Sequence, residues 1–326
     1  MNIHRGRSFT TNREEPVITL LAAMLCLSGP MPATASSDDQ HRKPENGDLA
    51  FGRFDPALDG FSLWTASSDA SHQRRLTQDQ ANFSDWAPDG NRIAFDFNDD
   101  TGVHIATIAP NGTNRKALTA APGVQECPKW SPDGKSIVYD SFPVDQPTFS
   151  VSVWVMHADG SSPKQLTSNA LDVEPVFSPD GTQIAFGRIT GDSPEGQLEA
   201  IYVINSDGTG LHQIVPPRAG LEHPDWSPDG RSVTFNIEPG NTKAPDYGSI
   251  LSVQPDGNGL RVIQPRTPDL KFFKAVWSPD GRKLLSGCFD TQAKIDKICI
   301  VSPGRRVTTV VSGPPGVNFP SWGPDD

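Results

Sequence analysis

The sequence predicts an all-β protein of repeated four-stranded antiparallel sheets closed into a ring, and three observations carry that prediction. The first is a five-residue phrase that returns as Trp86-Ala87-Pro88-Asp89-Gly90, Trp130-Ser131-Pro132-Asp133-Gly134, Phe177-Ser178-Pro179-Asp180-Gly181, Trp226-Ser227-Pro228-Asp229-Gly230 and Trp277-Ser278-Pro279-Asp280-Gly281, with a shorter sixth copy, Trp322-Gly323-Pro324-Asp325. Successive aromatics stand 44, 47, 49, 51 and 45 residues apart, a period that belongs to propeller blades or helical arrays. The second is that the apolar runs between phrases are short and consecutive rather than alternating, as in sheets covered on both faces. The third is the lack of any amphipathic helical stretch of useful length, which removes helical arrays and leaves a β-propeller.

One copy shows the order of elements. Glu126-Cys127-Pro128-Lys129-Trp130 reads as an extended segment and Ser131-Pro132-Asp133-Gly134 as a tight turn, proline presetting φ and glycine supplying φ > 0. Ser136-Ile137-Val138-Tyr139 is a second strand, β-branched and aromatic. After a variable loop, Val151–Met156 is a third, Ala158-Asp159-Gly160 a second turn, and Lys164-Gln165-Leu166-Thr167 a short polar fourth. Ile93–Phe95 with Val103–Ile108, Ile184–Phe186 with Ala200–Ile204, and Val233–Phe235 with Ile250–Val253 repeat the order.

The sixth phrase supplies one strand only, and three unassigned strands stand at the front: Asp48–Arg53, Phe61–Trp64 and Arg74–Thr77. The expected architecture is therefore a six-bladed β-propeller of four-stranded antiparallel blades over residues 48–326, closed by the C-terminal strand completing the N-terminal blade. Such closure leaves no long open edge.

Residues 1–35 read as an export signal: Arg5, Arg7 and Arg13 precede the apolar run Val17–Leu27, and Ala33-Thr34-Ala35 offers a cleavage site before Ser36. That run is too short to cross a hydrocarbon core, which needs roughly 20 residues, so no stable membrane insertion is expected. Residues 36–47 form a polar linker. Without residues 1–35 the chain carries 25 basic and 37 acidic side chains, a formal charge of −12 that disfavours nucleic acid and anionic lipid as partners. Cys288 and Cys299 flank the tip of a hairpin, Leu284–Phe289 with Ile298–Val301, and are either a disulfide or two buried thiols.

The run Trp-Ser-Pro-Asp-Gly, then Ile-Ala-Phe, then a strand ending in Asp-Gly, then Leu-Thr, resembles the propeller repeats of TolB and its relatives, from about Asp48 to Asp326. The Gly-His and Trp-Asp dipeptides of WD repeats are absent. The resemblance implies a six-bladed propeller, exported to the periplasm or outside the cell, that serves as a binding platform; TolB itself belongs to the Tol–Pal envelope system and contacts proteins. TolB carries a separate N-terminal domain, whereas here a signal and a linker precede the first strand, so a stand-alone TolB-like propeller is expected.

In a propeller the first strand of each blade lines the central channel. The residues three and four positions before each phrase aromatic are Asn82 and Phe83, Glu126 and Cys127, Val173 and Glu174, Glu222 and His223, Phe273 and Lys274, and Asn318 and Phe319. Of these, Asn82, Phe83, Glu126, Glu174, Glu222, His223, Phe273, Lys274, Asn318 and Phe319 are the candidate ligand-binding set at the channel mouth. No Gly-x-Ser-x-Gly elbow and no paired histidines at metal spacing occur, so no catalytic or metal-ligating set is assigned. The expected function is non-enzymatic binding of a protein, peptide or glycan, with no cofactor. One alternative is a metal-dependent hydrolase or lyase, with Glu126, Glu174, Glu222 and the asparagines as hard oxygen ligands suited to calcium. Another is a structural or sensor module of an envelope assembly. The Asp-Gly segments Asn98–Gly102 and Asn205–Gly208 lack the twelve-residue calcium-loop pattern and read as hairpin turns. The loops Ser141–Ser150, Thr190–Glu199 and Glu238–Gly248 vary most in length, as partner-selecting loops do.

Overall fold

In the computed structural model the phrase aromatic ends the first strand of each sheet, and Ser-Pro-Asp-Gly turns the chain into the second. The structure describes residues 47–143, 150–168, 170–194, 196–237, 245–303, 307–312 and 316–324. The export signal and nearly all of the linker lie outside them, as do parts of the loops at 141–150 and 238–248.

Strands β1 (Leu49–Asp55), β2 (Gly60–Ala66) and β3 (Arg74–Arg75) form a sheet with β24 (Val317–Trp322), in the order β24-β1-β2-β3. Three further four-stranded sheets run in sequence order: β12 (Asp172–Phe177), β13 (Gln183–Ser193), β14 (Gly196–Asn205) and β15 (His212–Ala219); β16 (Leu221–Trp226), β17 (Val233–Ile237), β18 (Ile250–Val253) and β19 (Arg261–Gln264); β20 (Leu270–Trp277), β21 (Leu284–Asp290), β22 (Ile295–Val301) and β23 (Val307–Ser312). Within each, neighbours are antiparallel.

The remaining eight strands form one sheet rather than two. Its halves are β4 (Ala81–Trp86), β5 (Ile93–Asp99), β6 (Gly102–Ile108) and β7 (Lys116–Ala117), and β8 (Gly123–Trp130), β9 (Ser136–Pro143), β10 (Ser152–His157) and β11 (Lys164–Gln165). Each half is antiparallel, and the two join where β6 runs parallel to β8 at Gly102 with Gly123 and Val103 with Val124. Glycine permits this approach, because a Cβ on Gly102 would collide with the Gly123 carbonyl oxygen. The chain is thus an all-β propeller of antiparallel four-stranded sheets, two of them merged. Six strands, β24, β4, β8, β12, β16 and β20, are each in contact with the next, and the last with the first.

The phrase works as a self-capped turn. The serine carbonyl accepts the glycine N–H in Ser131–Gly134, Ser178–Gly181, Ser227–Gly230 and Ser278–Gly281, at 2.8–2.9 Å. Those glycines take φ of 67–71°, the left-handed region that favours glycine. The serine hydroxyl donates to Oδ1 of the aspartate two residues on, at 2.6–2.7 Å, and the same oxygen accepts the N–H two residues beyond it.

The aromatic faces the preceding blade. Trp86 packs with Ala50, Leu63 and Leu76, and Trp130 with Ala87, Ala94 and Ile105. Nε1 of Trp86, Trp130, Trp226, Trp277 and Trp322 is buried and makes no hydrogen bond among the described residues, so these indoles act by apolar packing. A second link runs outside them. Side chains opening the fourth strands reach a turn carbonyl in the next blade: Arg74 to Asn111, Lys116 to Asp159, Lys164 to Asp207 and His212 to Pro255, at 3.0–3.4 Å.

Two local features differ from or add to the sequence reading. Thr190–Glu199, expected as a loop, is mostly strand: β13 and β14 extend past a bulge between Ile189 and Gly191 and stay paired to Ser193 with Gly196. Gly191 and Gly196, at φ of 152° and 129°, let the pair bend and turn. Cys288 and Cys299 are disulfide-bonded, with Cα atoms 6.1 Å apart and both side chains fully buried.

Because β24 carries the buried Val317 and Phe319 into the first sheet, deleting residues 317–326 should destabilise the protein by about 3–6 kcal/mol, since each large apolar side chain contributes about 1.5–3 kcal/mol. Urea unfolding of the full-length and shortened proteins measures this. Replacing Cys288 and Cys299 together by serine should cost about 2–3 kcal/mol in the same assay, the loop-closure value for a bridge across 11 residues.

Candidate functional site

Six residues without glycine's freedom adopt left-handed backbone on the six innermost strands: Phe83 (φ 38°), Cys127 (54°), Glu174 (56°), His223 (57°), Lys274 (42°) and Phe319 (46°). Each stands three positions before its phrase aromatic. A non-glycine residue there costs about 1–2 kcal/mol, so six at equivalent positions require a common cause. That cause is a β-bulge: in all six strands the register with the second strand shifts at this point. A bulge re-aims side chains, and here it forms a belt around the axis.

Side chains from neighbouring blades hold the strained backbone. Asp140 Oδ2 accepts the Glu174 N–H at 2.7 Å, Glu174 Oε2 accepts the His223 N–H at 2.8 Å, Asn236 Oδ1 accepts the Ala275 N–H at 2.9 Å, and Asp96 Oδ2 lies 3.5 Å from the Cys127 nitrogen. Asp96, Asp140 and Asn236 are one second-strand position repeated, opposite Asn82, Glu126 and Glu222. The same position is Gly52, Gly187 and Gly287 in the other three sheets, opposite Asn318, Val173 and Phe273. Those glycines give up an acceptor and make room: Asn318 Oδ1 lies against Gly52, and the Phe273 ring covers Gly287.

The belt holds two phenylalanines and four ionisable side chains. Phe83 and Phe319 pack at a tilt with centroids 4.1 Å apart, and the Lys274 ammonium sits over both rings at 4.4 and 4.6 Å. Lys274 is only 5 % exposed, and burial, reinforced by Lys129, pushes its pKa down to about 8. Elsewhere in the belt an imidazole stands between two carboxyl groups. His223 Nδ1 is 2.9 Å from Glu174 Oε2, and its Nε2 is 3.6 Å from Glu222 Oε2. Burial, with Glu126 beside it, pushes Asp96 up to about 8, and burial holds the Cys127 thiol well above its ordinary value, so that sulfur is a poor nucleophile.

A lower belt, one position before each aromatic, completes the lining. Lys129 Nζ pairs with Asp85 at 2.9 Å, while Asp85 and Asp225 also accept the N–H groups of Trp130 and Trp277. Burial raises Asp225 to about 6. Between the belts lies a cavity of about 30 Å³ lined by Phe83, Cys127, Glu174, His223, Asp225 and Lys274 among others. That is the volume of about one water. A space of this size takes a few waters at most, so a bulky ligand meets the belt from the mouth.

The sequence-derived set therefore divides. Phe83, Glu174, His223, Lys274 and Phe319 converge on the axis, whereas Asn82, Glu126, Glu222, Phe273 and Asn318 sit one residue higher, paired with the second strands. Phe83 and Phe319 pair with each other, whereas Phe273 lies over Gly287. Sequence reasoning missed the supporting second-strand residues Asp96, Asp140 and Asn236 and the lower belt of Asp85, Lys129 and Asp225. The polar residue directly after the apolar triplets ending in Phe95, Tyr139 and Phe235 was the available signal. Glu174, Glu222 and His223 bring their ligand atoms within 4.8 Å of one another, a spacing able to hold a divalent cation. Glu174 Oε2 already serves His223, so an ion would have to displace that contact.

Comparison with known proteins adds a family and a fold. The profile of the TolB beta propeller domain matches residues 59–326. The protein TolB homolog of Chlorobium luteolum is 31% identical over 112 residues, covering 33% of this chain and 24% of that protein. The Tol-Pal system protein TolB of an Anaeromyxobacter species (strain K) is 28% identical over 110 residues, 34% of this chain and 23% of that protein. These matches span about a quarter of each relative's length. The crystal structure of TolB from Acinetobacter baumannii superposes with a TM-score of 0.69 at 19% identity, covering 86% of this chain and 67% of that one.

The state of Asp96 gives a pH test. Its folded pKa lies above its unfolded one, so its contribution is fully present below about pH 4 and is lost as pH rises through about 8. Between pH 6 and 8, Asp96→Asn should therefore lose about 2 kcal/mol less stability than the unaltered protein, measured by urea midpoints at both pH values.

Proposed function

The chain belongs to the TolB β-propeller domain family, and from that premise we propose that it is an exported, six-bladed propeller acting as a non-enzymatic platform that binds a protein, peptide or glycan at its channel mouth. Counting six blades divides the eight-stranded sheet at its parallel seam, and the six inner strands in cyclic contact support that division. Export is supported by the charged and apolar pattern of residues 1–35, by the family resemblance and by the buried disulfide. No helix among the described residues is long and apolar enough to cross a membrane.

One observation carries the binding reading. Six strained residues are held on six inner strands around a space of about 30 Å³, so the partner contacts a built rim and does not enter the axis. Strain retained at equivalent positions marks a surface whose shape the fold maintains. A protein partner is favoured over a small molecule, since pockets for the latter run to roughly 300–1,000 Å³. The competing reading, a metal-dependent hydrolase or lyase, rests on the Glu174, Glu222 and His223 grouping.

Affinity capture from a native envelope extract tests both readings. Glu126→Ala with Glu222→Ala, half-buried residues of the rim, should reduce recovery of the partner at least tenfold while leaving the thermal midpoint within a few degrees. Undiminished recovery counts against the mouth. A stoichiometric metal, found by elemental analysis and lost in Glu174→Gln, would favour the enzyme reading instead.

A further inference from the structure

The repeats can be compared at the junction each makes with the blade before it. Where β5 meets β8, the Arg92 guanidinium lies 4.6 Å from the centroid of the Trp130 ring, an indole stacked on a cation. Six residues after each phrase aromatic the chain carries Arg92, Ser136, Gln183, Ser232 and Lys283, and the aromatics of the following copies are Trp130, Phe177, Trp226, Trp277 and Trp322. Ser136 with Phe177 is the one pairing that lacks both the long side chain and the indole. At that junction a groove of about 600 Å³ opens on the turn face, walled by Pro132, Met156 and Phe177 with Ser136 at its floor.

Two carboxylates stand at the rim of the groove, with Lys164 and His157 also in its lining. Asp133 and Asp180 are exposed, and the hydroxyls of Ser131 and Ser178, followed by main-chain N–H groups, hold both carboxyls below the usual range and hence ionised at neutral pH. Three bases stand nearby: Lys164 Nζ donates to the Asp207 carbonyl at 3.0 Å, His157 Nδ1 lies 3.1 Å from the Ser161 hydroxyl, and the exposed Lys135 pairs at 3.4 Å with Asp133, leaving Asp180 the less compensated acid.

We propose that this groove is a binding site for an aromatic cation of indole size. The ring takes the space that a tryptophan fills in five of the six repeats, against Met156 and Phe177. The cationic group takes the place of the guanidinium lost at Ser136 and faces Asp133 and Asp180. The same chemistry comes from a free arylalkylamine or from a tryptophan beside a basic residue on a peptide. The site lies on the turn face and does not depend on the reading of the channel mouth.

Titration calorimetry of the full chain with tryptamine tests this. Tryptamine should bind, and indole-3-acetate, the same ring with the opposite charge, should bind at least tenfold more weakly. Phe177→Trp and Ser136→Arg, each restoring what other repeats carry, should each weaken tryptamine at least tenfold without lowering the thermal midpoint. Should Phe177→Trp fail to fold, Ser136→Arg, at a half-buried position, decides alone. Equal affinity for the two indoles, unchanged binding in Ser136→Arg, or no heat with tryptamine at millimolar concentration overturns the proposal. A tryptophanyl-arginine amide that binds more tightly than tryptamine supports it and assigns the site to a peptide; the reverse order supports it and assigns the free amine.

Discussion

Six left-handed residues on six inner strands are the constraint on which the rest of this propeller depends. Each of Phe83, Cys127, Glu174, His223, Lys274 and Phe319 would relax to ordinary extended backbone if its strand were free, gaining about 1–2 kcal/mol. They do not relax because the strands are pinned on both sides of the bulge: above it by pairing with the second strand, below it by a buried aromatic wedged against the preceding blade. Interblade acceptors such as Asp140 and Asn236 then bind the displaced N–H groups. For Cys127, Glu174 and His223 the strained N–H and its acceptor lie in different blades, so there the bulge is supported by the ring.

The same displacement sets the electrostatics of the axis. Turning six side chains inward places a carboxylate, an imidazole, a thiol and an ammonium in a space too small to hydrate them fully. Burial then works on each group according to its charge, raising Asp96 and lowering Lys274 until both titrate near pH 8. The aromatic pair Phe83 and Phe319 offsets part of the loss for Lys274 by presenting its ring faces to the ammonium. Phenylalanine stands where the adjoining second strands offer only Gly52 and Gly287, which bring no side-chain acceptor. The third such glycine, Gly187, precedes His223, whose N–H is taken instead by Glu174.

The turn face obeys a different rule. There the repeat is close to invariant, and its serine, proline, aspartate and glycine are used up in the turn itself. Departures from the repeat matter more than the repeat, because each leaves a volume that the other copies fill. At Ser136 and Phe177 two such departures coincide, and a groove lies between the two blades.

Strand order and the pairing of the chain's two ends were legible in the sequence, because Trp-Ser-Pro-Asp-Gly specifies a local turn whose geometry depends on a few adjacent residues. The inner-strand placement of the candidate residues was legible for the same reason, since the residue three before each phrase aromatic stands on the first strand of its blade. What each side chain there does was not. The convergence of Phe83 on Phe319, the support of Glu174 by Asp140, the cover of Gly287 by Phe273 and the extension of Thr190–Glu199 into strand depend on residues from different blades or on paired register. Sequence alone determined the turns, the strands and the period, which are local properties of the chain. Only the tertiary structure decided the bulges, the shifted pKa values, the seam between β6 and β8 and the groove at Phe177, because each arises where two blades meet and neither blade encodes its neighbour's contribution.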